Sequence, residues 1–204
     1  MKTPARLAFS FTIIVLFLGG GYLLSRTADT SIPVVPSPTY ENETYGYSFS
    51  YPRDYTVKEY TGEYVSVGIE EGESFTSVAD ISLHESVEEG VYANFDAFLL
   101  ERGRTLCAAD GPDQSISCTE VTKSTPFTSS AGVGGYEVYF TLEESTYSTG
   151  EVKTSTFGPV YAFDASAKTP DAEFSALLIH QPLPAFLEGE GHTAVTQIAD
   201  SFSW

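Results

Sequence analysis

The chain has 204 residues, of which 42% are hydrophobic and 14% aromatic, and its formal net charge is −18. That apolar content excludes the disordered class and predicts a packed core. With 28 acidic residues against 10 basic ones, nucleic acid and anionic lipid headgroups are excluded as partners, because phosphate binding needs clustered Lys and Arg.

Residues 1–6 carry Lys2 and Arg6, and residues 7–24, LAFSFTIIVLFLGGGYLL, carry no charge at all. Eighteen apolar residues are about the minimum for a membrane-spanning helix, which satisfies every backbone polar group internally. Arg26 follows closely, and the first carboxylate is Asp29. The positive charge before the run predicts a cytoplasmic N-terminus with the remainder outside the membrane. The alternative fate is a cleaved signal peptide, but small residues suited to cleavage occur only around Gly19–Gly21. An uncleaved anchor is the expectation. Residues 25–38, SRTADTSIPVVPSP, follow as a linker whose three prolines favour an extended, semi-stiff spacer.

Residues 39–204 are expected to form one extracytoplasmic domain. Asn42-Glu43-Thr44 matches a glycosylation sequon, a pattern short enough to occur by chance. Tyr45, Tyr47, Phe49 and Tyr51 alternate with small residues, the period of a strand with one buried face. After Pro52-Arg53-Asp54, a second extended segment covers Tyr55–Tyr60. Thr61-Gly62 turns the chain into a strand with Val65, Val67 and Ile69 inward. An acidic turn at Glu70–Glu73 leads to another strand with Ala79, Ile81 and Leu83 inward. Short strands with tight links predict an antiparallel meander.

A helix follows. Asn94 suits its N-cap and Asp96 its positive start; Phe95, Phe98, Leu99 and Leu106 form an apolar face, Arg102 and Arg104 fall in the last turns, and Asp110-Gly111-Pro112 stops it. Cys107 and Cys118 are expected to form a disulfide outside the membrane, closing a turn-rich loop. Its chain-entropy contribution is about 2.8 kcal/mol. Cys118–Phe127 reads as a strand. Residues 135–164 read as a long hairpin with Tyr136, Val138, Phe140 and Leu142 alternating inward. FSALLIH at 174–180 is a continuous apolar run, expected to be a strand covered on both faces. Val195, Ile198, Ala199 and Phe202 mark one stripe of a C-terminal helix.

No local motif specifies chemistry. The nucleophile-elbow pattern G-x-S-x-G does not occur. His84-Glu85-Ser86-Val87-Glu88 lacks the second His of a zinc-protease helix, and His84, His180 and His192 are too dispersed to define a metal site. Each reads as a polar residue at the end of an element. Cys107 follows a helix end, where the dipole disfavours a thiolate, so a disulfide is the simpler role. Asp110 with Asp113, and Glu70, Glu71 with Glu73, offer carboxylates on turns without the ordered spacing of a calcium loop, and read as solvated acids. The 13 tyrosines read as core or half-buried strand residues, although an exposed row suits a sugar or peptide. No catalytic, cofactor-binding or metal-ligating residue is therefore assigned.

The opening from Tyr45 to Pro52, followed by Asp54-Tyr55, together with the order strands, helix, strands, helix, resembles the PsbP-like family of extracytoplasmic domains. Tyr55 stands where such domains often carry Trp. The resemblance implies an α+β fold, a central antiparallel twisted sheet flanked by helices as an α/β/α sandwich, and an accessory or assembly role. The expectation is a membrane-anchored, non-enzymatic binding or assembly accessory, held by its N-terminal helix and meeting an envelope protein or small ligand. An envelope hydrolase using paired carboxylates and a structural envelope component are the alternatives.

Overall fold

The computed structural model describes residues 36–204. The anchor at 7–24 and nearly all of the linker at 25–38 lie outside the described residues. Among the described residues, no helix is long and apolar enough to cross a membrane. Residues 37–204 form a compact unit.

Its frame is an eight-stranded sheet in the order β3-β4-β5-β10-β9-β8-β7-β6. The strands are β3 (Thr56–Thr61), β4 (Tyr64–Glu71), β5 (Ser74–Ser86), β6 (Ala109–Asp110), β7 (Gln114–Thr128), β8 (Gly134–Thr146), β9 (Glu151–Asp164) and β10 (Phe174–His180). Every neighbouring pair is antiparallel. The meander β3-β4-β5 and the long β8–β9 hairpin are as the alternation predicts, but the opening strand expected in that meander lies outside the sheet, where Tyr47–Ser50 pairs with Thr39–Asn42. Three helices pack on the sheet: α1 (Phe95–Cys107), α2 (Leu183–Glu188) and α3 (His192–Ser201).

Two cores, one on each face, follow from this arrangement. On the first face, α3 contributes Ala194, Val195, Ile198 and Ala199 to a core with Val65, Ile81, Phe163, Leu177 and Ile179. A two-stranded hairpin, β1 (Thr39–Asn42) with β2 (Tyr47–Ser50), adds Tyr47 and Phe49 to it. On the second face, Phe98, Leu99 and Cys107 of α1 and Leu183 just after β10 pack on Val138, Phe140, Phe157, Ala176 and Leu178. Strand β10 feeds both cores with alternate side chains, which is why its residues 176–179 are apolar without a break.

The disulfide joins Cys107, the last residue of α1, to Cys118 of β7, with a Cα separation of 5.6 Å. It fastens the helix to the sheet it covers. The Asn94 side chain accepts the Ala97 amide at 2.9 Å and caps α1 as expected.

Four details depart from the sequence reading. Ile69 is 38% exposed, because the register slips at a bulge between Val67 and Gly68 and β4 then runs out into solvent. Half of the acidic segment 70–73 is strand, since β4 continues to Glu71 and Gly72-Glu73 alone turn. Helix α1 ends at Cys107, before Asp110-Gly111-Pro112, and Ala109-Asp110 form an edge strand instead. Tyr136 is 44% exposed and not inward.

Candidate functional site

Two places concentrate polar or aromatic groups beyond what packing requires. The first is a polar seam on the second face of β4, β5 and β10. Asp80, Ser82 and His84 alternate along β5 with Ala79, Ile81 and Leu83 of the first core, so all three side chains share the opposite face. Ser66 of β4 and His180 of β10 both stand opposite Asp80 in the register, and bring their side chains to the same face.

Asp80 is 5% exposed, and its Oδ1 accepts hydrogen bonds from the hydroxyls of Ser66 and Ser77, each at 2.6 Å. A buried carboxylate needs such donors. Ser82 Oγ and His84 Nε2 are 2.9 Å apart. Burial lowers the His84 pKa from 6.5 to about 4, with the nearby His180 and Arg102 adding to the effect. His180 is also lowered by burial, against the opposing pull of Asp80. A serine–histidine contact is the first element of a nucleophile–base pair. Here Ser82 is only 7% exposed, so its hydroxyl is turned into the fold and away from solvent. The seam is a buried polar network that fixes the register of β4, β5 and β10.

The second place is a cleft of about 340 Å³ where the start of α1 meets the ends of β8, β9 and β10. Three rings line it: Phe95 from the first turn of α1, Tyr136 from β8 and Phe174 from the start of β10. Phe95 lies 6.3 Å, centroid to centroid, from both Tyr136 and Phe174. Phe98 stacks at 6.0 Å on Phe174 and belongs to the second core.

Two exposed carboxylates, Asp164 and Glu173, line the same cleft. Asp164 Oδ1 accepts the Ser166 amide at 2.8 Å, and Glu173 Oε2 accepts the Gly90 amide at 2.7 Å. Each is held by a backbone donor. Neither cleft carboxylate forms an ion pair with a cation among the described residues. Ser175, 2% exposed, also lines the cleft, and its hydroxyl has no hydrogen-bond partner among the described residues. The arrangement offers flat apolar walls and an anionic rim.

The residues singled out in the sequence fall elsewhere. Cys107 and Cys118 are bonded and fully enclosed in the second core. His84 lies within β5, His180 ends β10, and His192 opens α3 with its side chain exposed. Asp113 accepts the Ser148 hydroxyl at 3.2 Å, tying the loop before β7 to the β8–β9 turn. Glu70, Glu71 and Glu73 stand exposed at the β4–β5 tip. Among the described residues, no group of three or more His, Cys, Asp or Glu side chains is placed to hold a metal ion. Asn42 of the sequon is 2% exposed, and its amide donates to the Gly62 carbonyl at 3.0 Å, so the nitrogen is engaged inside the fold. The cleft was not read from the sequence; its one signal is Tyr136, an aromatic at an alternating position that stays in solvent.

No family model and no curated protein matches the chain. Among solved structures it is similar to cyanobacterial PsbP (CyanoP) from Synechocystis sp. PCC 6803, solved in solution. The identity is 13% over 88% of this chain and 98% of that one, with a TM-score of 0.41. The likeness is one of fold.

Proposed function

We propose that the chain is a membrane-tethered, non-enzymatic accessory domain that works by binding, and that its contact site is the cleft of Phe95, Tyr136 and Phe174. The tether rests on the uncharged stretch at 7–24 with its charged start. One observation carries the binding reading: three rings around a cleft of about 340 Å³, open to solvent and rimmed by two carboxylates already fixed by backbone amides. Pre-formed concave sites with apolar walls and a few fixed polar groups are what ligand recognition uses, and this volume sits at the low end of the roughly 300–1,000 Å³ range of such sites.

A photo-crosslinking residue placed at Tyr136 in the full chain tests this in membranes. A discrete adduct at 136, with none when the same residue is placed at Tyr147 (58% exposed, in the β8–β9 turn), supports the reading. Identical smears at both positions, or no adduct at 136, would overturn it. Protease added to intact cells tests the tether: a domain left undigested under conditions that strip other surface proteins argues against external display.

A further inference from the structure

We propose that the cleft receives a basic side chain, lysine or arginine, from a partner protein; this deepens the binding reading above and rests on it. The rings of Phe95, Tyr136 and Phe174 present apolar walls suited to the methylene stem of such a side chain. Aromatic faces also attract a cationic head through their quadrupoles. Asp164 and Glu173 stand on the rim, each fixed through one oxygen by a backbone amide. Neither is neutralised by a cation among the described residues.

The charge pattern chooses among occupants. A neutral alkyl chain seated here strips water from two carboxylates and returns no hydrogen bond, which is costly. An acidic side chain meets like charge. A basic one satisfies both the walls and the rim, and a chain of net charge −18 favours basic partners during the approach as well. Arg102 shows the aromatic half of this pairing inside the domain. Its guanidinium lies 5.3 Å from the Phe98 ring centroid and 5.9 Å from that of Tyr92, and donates to the Tyr92 hydroxyl at 2.9 Å.

The test uses the full chain in neutral detergent, with three acetylated, amidated peptides that are identical except for a central lysine, norleucine or glutamate. Binding is followed by amide chemical shifts. The lysine peptide is expected to shift Tyr136, Asp164 and Glu173 and to bind about tenfold more tightly than the norleucine peptide. The double variant D164N/E173Q is expected to weaken the lysine peptide about tenfold, and Tyr136→Ala to do the same. Asn and Gln keep an acceptor for the Ser166 and Gly90 amides, so the backbone there is held. The double variant E70Q/E71Q removes the same charge at the β4–β5 tip and is expected to change the affinity by less than about twofold.

Equal losses in the two double variants would show diffuse attraction to an acidic surface and overturn the proposal. Equal binding of the lysine and norleucine peptides would also overturn it. If either result came with a discrete crosslink at position 136, the cation assignment would fall and the binding reading would stand. Without the crosslink both would fall.

Discussion

Gly103 of α1 lies directly against the ring of Phe140 on β8: a Cβ added at 103 would stand 2.2 Å from the ring's Cε1. Helix and sheet meet there with no room for a methyl group. Gly103→Ala gains intrinsic helix propensity worth about 1 kcal/mol. The clash forces either the Phe140 ring or the helix to move, and overpacking of this kind costs about 1–3 kcal/mol. The net outcome expected from urea unfolding is a loss of stability, with a shift toward wild type in the G103A/F140L double variant. A more stable Gly103→Ala protein would contradict the observed packing.

Removing the disulfide detaches the end of α1 from β7. The C107A/C118A variant is expected to lose about 3 kcal/mol, because the loop of its unfolded chain is no longer closed. Reducing agent is expected to lower the wild-type melting temperature and leave that of the variant unchanged. Two titratable thiols in oxidised wild-type protein would refute the bridge.

His84 makes stability depend on pH in a definite direction. Its folded pKa of about 4 lies below the unfolded value of 6.5, so the folded state binds fewer protons between those two values. The contribution is whole above about pH 6.5 and is lost as pH falls toward about 4, by about 3 kcal/mol at most. His84→Gln keeps a group able to hydrogen-bond Ser82 and does not titrate. Denaturation midpoints of this variant are expected to fall less than those of wild type over that window. Parallel curves would mean that His84 is freely protonated in the fold.

The cap of α1 gives a smaller effect. Asn94→Ala removes the acceptor for the Ala97 amide and is expected to cost about 1 kcal/mol. Asn94→Asp, which keeps the acceptor and adds charge at the positive helix end, is expected to be neutral or slightly stabilising. Thermal melts compare the three. Equal stability of Asn94→Ala and wild type would count against the cap.

The legible parts of the fold were those whose signal is local. Residues 174–180 read as a strand buried on both faces because four consecutive residues, 176–179, are apolar, and Leu177 and Leu178 do face opposite cores. Asn94, Asp96 and the apolar spacing after them marked α1 for the same reason. Strand β1 was missed because four residues after a proline-rich stretch hold no period; its pairing with β2 and the buried Asn42 reveal it. Helix α2 was missed because six residues with proline at the start are too short for a 3.6-residue pattern to show. The cleft was illegible for a different reason. Phe95, Tyr136 and Phe174 are about 40 residues apart in succession, and only the strand order brings them together. The polar seam is similar, since Ser66, Asp80 and His180 become neighbours through register.

The ring of Phe202 is stacked at 4.4 Å on Phe163 and lies 5.9 Å from Tyr47, and Ser203 pairs with Ser48 across two backbone hydrogen bonds of 2.9 Å. A chain delivered in sequence order through a narrow conduit presents Tyr47 and Ser48 long before those late partners emerge. Its earliest hairpin must therefore wait, with aromatic surface uncovered, until residue 203 is free to dock.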